Sequence, residues 1–109
     1  MRYLLLICVD PSIDSDEDAG DIQAWFDEIE RRGGTRLLGD QLEPPSNGRS
    51  VRVRGGAIVT TDGPFAETKE FIAGFDVIEC EDMETAVEIA AQHPVARFGT
   101  VEVRQFWKG

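Results

Sequence analysis

The sequence predicts an α+β sandwich, one antiparallel sheet with two helices on a single face. Three observations carry that expectation. Strand-like apolar runs and helix-like stripes follow one another in the order β-α-β-(hairpin)-β-α-β. Only two segments repeat at helical spacing, and each lies between strands. The 109 residues suit a single domain, 1–109, long enough to bury roughly two-thirds of its unfolded surface. Together these describe a ferredoxin-like fold.

Tyr3 to Val9 is a continuous apolar run, typical of a strand covered on both faces, and Asp10-Pro11 ends it. Ser15-Asp16-Glu17-Asp18 is expected to cap the first helix, with carboxylates where the helix dipole favours negative charge. Ile22, Trp25, Phe26 and Ile29 form one apolar stripe, and Gly33-Gly34 stops the helix through a left-handed cap. Thr35 to Gln41 reads as a short strand and residues 43–48 as a loop. Val51-Arg52-Val53-Arg54 alternates cleanly, Gly55-Gly56 supplies a two-residue turn, and Ala57 to Thr61 returns.

Phe71 to Cys80 is the longest strand. Phe71, Ala73, Phe75 and Val77 lie on one face; Ile72, Gly74, Asp76, Ile78 and Cys80 lie on the other. Asp82 caps a second helix with Met83, Ala86, Val87, Ala90 and Ala91 inward and Glu84 and Glu88 outward. His93-Pro94 closes it, with His93 expected as a cationic C-terminal cap. Gly99 opens a last strand, where Val101 and Val103 alternate with Glu102 and Arg104, and Phe106-Trp107 follows.

Two helices cover one face of a sheet, yet the first and third main strands are apolar on both. An uncovered apolar face needs a partner, so a homodimer packed sheet to sheet is expected, with Phe106 and Trp107 at the seam. The first and third main strands would run antiparallel, which puts Cys8 and Cys80 at opposite ends of the sheet. At ~3.3 Å per residue they stand roughly 15–20 Å apart, too far for a disulfide.

Composition bounds the function. With 21 acidic and 11 basic residues the formal charge is −10, which disfavours nucleic acid and anionic membrane surfaces. Seven apolar residues after Met1-Arg2, with no small-residue cleavage site, do not make a signal peptide, and no run approaches a membrane span. A cytoplasmic protein is expected. There is no nucleophile elbow, phosphate-binding glycine loop, dinucleotide fingerprint or metal-ligand spacing, so no cofactor and no metal are expected.

The most shaped stretch is Thr60 to Glu70. Asp62-Gly63-Pro64 joins three turn-formers, Phe65 follows as a core anchor, and Glu67, Lys69 and Glu70 present charge. Asp62 is the candidate acid or base; the alternative is an Asx-type lock on the loop. Glu67, Lys69 and Glu70 are candidate ligand-binding residues or a solvated face. Arg52 and Arg104 are candidates to clamp a carboxylate or phosphate, or pair structurally with Asp62 or Glu102.

Asp62-Gly63-Pro64-Phe65-Ala66-Glu67-Thr68-Lys69-Glu70 resembles the signature of the DGPF-domain branch of the YCII-related proteins. The opening Met1-Arg2-Tyr3-Leu4-Leu5-Leu6-Ile7, Val51-Arg52, Gly74-Phe75 and Glu102-Val103-Arg104 are similar to that family as well. The resemblance implies a bacterial protein folded as a dimeric α/β-barrel. It also implies an association with extracytoplasmic-function sigma factors, beside or fused to which relatives are often encoded. The YciI-like branch carries a His-Asp pair, with the His just after the first strand. Here no His lies between Asp10 and Gly20, and Gln105 follows Glu-Val-Arg where the branch usually shows Pro. Enzymatic inference from that branch therefore does not carry over.

The leading expectation is a small polar or anionic molecule bound in a cleft near the Asp-Gly-Pro loop, with or without cofactor-free catalysis. A non-catalytic module docking on a sigma factor and a structural homodimer without ligand are the alternatives.

Overall fold

A computed structural model describes residues 1–15, 20–64 and 68–109. Its strands are β1 (Arg2–Val9), β2 (Thr35–Gln41), β3 (Arg49–Arg54), β4 (Ala57–Asp62), β5 (Phe71–Glu79) and β6 (Thr100–Gln105). The helices are α1 (Ile22–Arg31) and α2 (Met83–Ala91), with 3-10 turns at Pro45–Asn47 and Pro94–Arg97. The main sheet runs β2-β5-β1-β6, antiparallel throughout, while β3 and β4 pair only with each other. This is the expected α+β arrangement with a hairpin set into it.

Alternation decides which face meets the helices. Tyr3, Leu5 and Ile7 of β1 are buried, and they stand in register with Ile78, Asp76 and Gly74 of β5. Trp25 and Ile29 of α1, with Ala86, Ile89 and Ala90 of α2, complete that core. Leu5, Ile29, Ile78 and Ile89 are under 2% exposed, and each contributes about 2 kcal/mol by leaving water. The two helices are fastened above the sheet by the Trp25 indole, whose Nε1 donates to the Ile89 carbonyl at 2.8 Å.

The capping logic holds with shifted residues. Asp21 caps α1 by accepting from Ala24 N–H at 2.7 Å, and Asp82 caps α2 by accepting from Thr85 N–H at 2.8 Å. The expected cap stretch falls largely outside the described residues, which resume at Gly20. Gly33 takes φ 77 and ends α1, and Gly55 and Gly56 at φ 57 and 80 make the hairpin turn. The α2 stripe is rotated from expectation. Ile89 is its buried anchor, whereas Met83, Val87 and Ala91 are exposed, because a nine-residue helix shows the core only about one residue per turn.

The other face of the sheet carries Leu4 and Leu6 of β1, Phe75 and Val77 of β5, and Leu38 of β2. Among the described residues no helix covers it, and Leu38 is 59% exposed. Trp107 is 92% exposed. Cys8 and Cys80 are both free. They sit at opposite ends of β1, since Cys80 N–H bonds the Met1 carbonyl while Cys8 faces Ile72. Among the described residues no helix is long and apolar enough to cross a membrane.

Replacing Trp25 with Phe keeps the ring but orphans the buried Ile89 carbonyl, and is expected to cost about 1–3 kcal/mol. Urea denaturation with an unchanged m-value would register that loss; a variant as stable as the parent would show the bond to be dispensable.

Candidate functional site

The Asp-Gly-Pro corner is held by the base of the hairpin. Gly63, buried and at φ 81, donates its N–H to the Gly48 carbonyl at 2.8 Å, and Ser50 Oγ donates to the Gly63 carbonyl at 2.8 Å. Asp62 is not part of that lock among the described residues. Its side chain is 90% exposed, with Arg49 Nε at 3.7 Å. Phe65 and Glu67 lie outside the described residues.

Lys69 reaches back to the end of β1, its Nζ 4.0 Å from Asp10 Oδ2. Asp10 is buried, and Ser12 donates to its Oδ1 from Oγ at 2.7 Å and from N–H at 2.9 Å. The Ser12 hydroxyl and amide, with Lys69 behind them, hold this carboxyl below its ordinary range against the opposing effect of burial. Glu70 accepts from Thr100 Oγ at 3.0 Å, so it ties the loop to β6. Arg104 stands 3.8 Å from Glu102, the structural pairing weighed for it above. Arg52 sits in the hairpin beside Val59.

One cavity adjoins the loop, and a second lies across a wall from it. The smaller, about 600 Å³, is lined by Cys8, Pro64, Thr68, Glu70, Phe71 and residues of the 42–48 turn. The larger, about 960 Å³, lies where α1 and the Pro94–Arg97 turn approach the ends of β2 and β5. Leu42, Glu43, Pro44 and Phe71 line both, so they form a shared wall. Of the described sequence candidates Glu70 lines the smaller of these two cavities, and Asp62, Arg52, Lys69 and Arg104 line neither.

The larger cavity holds chemistry that the strand pattern hides. Asp10, Asp76 and His93 are the buried polar side chains among the described residues, and Asp76 and His93 both line it. Asp76 Oδ1 accepts from Arg36 Nε at 2.7 Å, and the Arg36 guanidinium stacks over Phe26, 4.6 Å from the ring centroid. Burial raises the Asp76 pKa, with Arg36 pulling the other way. The pair crosses β2 above Gly39, where any Cβ would strike Asp76 Oδ1 and lie 2.8 Å from the Phe75 carbonyl.

His93 is not the cationic cap expected. Its Nδ1 accepts from Val95 N–H at 3.0 Å, which leaves the proton of the neutral ring on Nε2. Trp25 meets it edge-on at 4.6 Å. Burial lowers its pKa to about 4, so the ring is uncharged at neutral pH and caps the following 3-10 turn as an acceptor. Cys8, in the smaller cavity, is held protonated: burial raises its pKa, and Glu70 and Glu102 add to the effect.

The sequence signal for this cluster was an acid in the middle of an apolar nine-residue strand and a glycine inside β2. Neither residue stands out by motif.

Comparison with known proteins adds a family and no chemistry. Residues 1–108 match the YCII-related domain. A stretch of 66 residues is 36% identical to a Rhizobium meliloti protein described as uncharacterized. That stretch is 59% of this chain and 53% of the relative, so the match spans about half the length of the curated relative.

Two outcomes follow from the larger cavity. Gly39→Ala is expected to destabilise by about 2 kcal/mol or more, since backbone as well as the ion pair must move; thermal denaturation within ~1 °C of the parent would refute the crossing. Between pH 6.5, the ordinary His value, and about 4, the unfolded chain binds a proton that folded His93 does not. Stability therefore falls as pH drops through that window, by up to about 3 kcal/mol from this group. His93→Asn keeps an acceptor for Val95 N–H without titrating, so the parent's advantage over it should shrink toward pH 4. A difference independent of pH would mean that His93 titrates alike in the folded and unfolded chain, and would overturn the buried neutral ring.

Proposed function

This chain belongs to the YCII-related family, and on that footing we propose that it binds a small polar molecule in the paired cavities, one of them beside the Asp-Gly-Pro loop. The observation that carries the reading is the placing of Asp76 and His93, two of the buried polar side chains, in the same mainly apolar cleft. Buried polar groups converging in an apolar cavity are the usual mark of a binding site.

The lining also speaks to charge. Glu43 and Glu70 border the smaller cavity; Asp40, Glu43 and Asp76 border the larger, against Arg36 alone, with His93 neutral. That balance favours a neutral or cationic ligand over the anionic one that Arg52 and Arg104 suggested, and the −10 net charge attracts the same class. Asp76, with its raised pKa, replaces Asp62 as the carboxyl suited to hydrogen-bond a ligand or exchange a proton with it.

A thermal-shift screen of small amines, alcohols, amides and carboxylates tests this. Ligand at about 100 times its Kd adds ~2.7 kcal/mol, a rise of roughly 10 °C for a domain of this size. Amines or neutral polar compounds are expected to register. Glu70→Gln is expected to weaken hits seated in the smaller cavity, and the paired change Arg36→Gln with Asp76→Asn those in the larger. Hits confined to carboxylates, or insensitive to both sets of changes, would overturn the reading.

A further inference from the structure

Two buried side chains of the larger cavity use only one of their polar atoms within the fold. Asp76 and His93 are each 6% exposed. Asp76 Oδ1 accepts from Arg36 Nε, and His93 Nδ1 accepts from Val95 N–H. Among the described residues nothing bonds Asp76 Oδ2 or His93 Nε2. Yet every described side-chain nitrogen or oxygen that is sealed from solvent has a partner. These two atoms are therefore not sealed: they open into the cavity that both residues line. A polar atom facing an apolar cleft is costly unless something meets it.

The kind of atom fixes what can meet it. Asp76 Oδ2 is an acceptor. His93 Nδ1 already accepts, so the ring carries its proton on Nε2 and offers a donor. Neither end asks for a net charge, because Arg36 balances the Asp76 carboxylate and the imidazole is neutral. Asp40 and Glu43 line the same cavity as exposed residues, so they form an acidic rim that turns anions away. Between the two open atoms the lining is apolar. Asp76 rises from β5, the turn that His93 caps packs on β1 and β6, and β1 lies between β5 and β6 with Ile7 lining the cavity. Phe26 and Val95 add to the same lining.

We propose that the larger cavity takes an uncharged hydroxy-carbonyl compound, whose hydroxyl donates to Asp76 Oδ2, whose carbonyl accepts from His93 Nε2–H, and whose aliphatic middle lies along Ile7 and Phe26. This rests on the binding function proposed above and narrows it from neutral or cationic molecules to neutral ones with a donor at one end and an acceptor at the other. It also gives His93 a second task, since one ring nitrogen caps the Pro94–Arg97 turn while the other reads the ligand. Two fixed points on opposite sides of an apolar floor select by length as well as by polarity.

His93 is the single histidine of the chain, so imidazole nitrogen NMR of the full protein reads this site without assignment. The probes are N,N-dimethyl ω-hydroxy amides of graded chain length, with three matched controls: the methyl ether, which cannot donate, the plain alcohol, which lacks the carbonyl, and the ω-amino amide, which is cationic. One chain length is expected to bind best and to shift the Nε2 resonance. Its methyl ether should bind ~10-fold or more weakly, because a carboxylate loses its donor, and the plain alcohol about 3–10-fold more weakly. His93→Asn keeps the acceptor for Val95 N–H but removes the Nε2 donor, so amide and plain alcohol should then bind alike. Asp76→Asn keeps an acceptor for Arg36 and turns the second atom into a donor, so the methyl ether should match or exceed the alcohol. The ligand series in the parent protein decides the matter even where a variant fails to fold. Equal affinity for the ether, a preference for the amine, or binding that leaves Nε2 unmoved would overturn this inference while the broader binding function stands. No binding by any probe or amine would overturn both.

Discussion

Burial on one side only is the constraint that organises this molecule. β1 and β5 are apolar on both faces, but α1 and α2 cover one, so Tyr3, Leu5, Ile7 and Ile78 are inside while Leu4, Leu6, Phe75 and Val77 are only half shielded. A slip of one residue would exchange the two sets. The register is fixed instead by the contents of the covered side: Tyr3 and Leu5 fit under Trp25 and Ile89, and Asp76 must arrive where Arg36 can meet it.

That last requirement explains why a carboxylate sits in a core strand at all. A lone ionised Asp76 there would be expelled or neutralised. Arg36 prevents this from the neighbouring strand, and Gly39 yields the space for the pair to pass. Phe26 then covers the guanidinium from α1. Three elements are joined by one charged contact, beside a cavity instead of within solid packing. Replacing such a pair by apolar residues often costs little stability, so its presence here is more informative about the cleft than about the fold.

The architecture was legible because periodicity is a local property. The bounds of β2, the Gly55-Gly56 turn and the Asp82 cap could be read from adjacent residues. The site was less legible because it is made by residues far apart in sequence. Asp76 and Arg36 meet across 40 residues, and the role of Gly39 exists only once both are placed. His93 misled for a related reason: its position after α2 suggested a charged cap, but tertiary burial keeps it neutral. The Asp-Gly-Pro stretch drew the eye through its turn chemistry. The shaping falls on Gly63, whereas Asp62 points its carboxylate to solvent.

The hairpin and the loop cavity are mechanically one unit. Gly48 and Asn47, at the hairpin's root, line the smaller cavity, and Gly48 also accepts the bond that fixes Gly63. Ser50, the one hairpin strand residue with partial burial, supplies the second bond to Gly63. Any force that steadies the hairpin therefore steadies the rim formed by Pro64 and the 42–48 turn. Conversely, a molecule filling that cavity presses on the hairpin's root. The separation of a charged loop, a hairpin and a buried acid along the sequence disappears in space, where the Leu42–Pro44 wall and the Gly48–Gly63 bond connect all three.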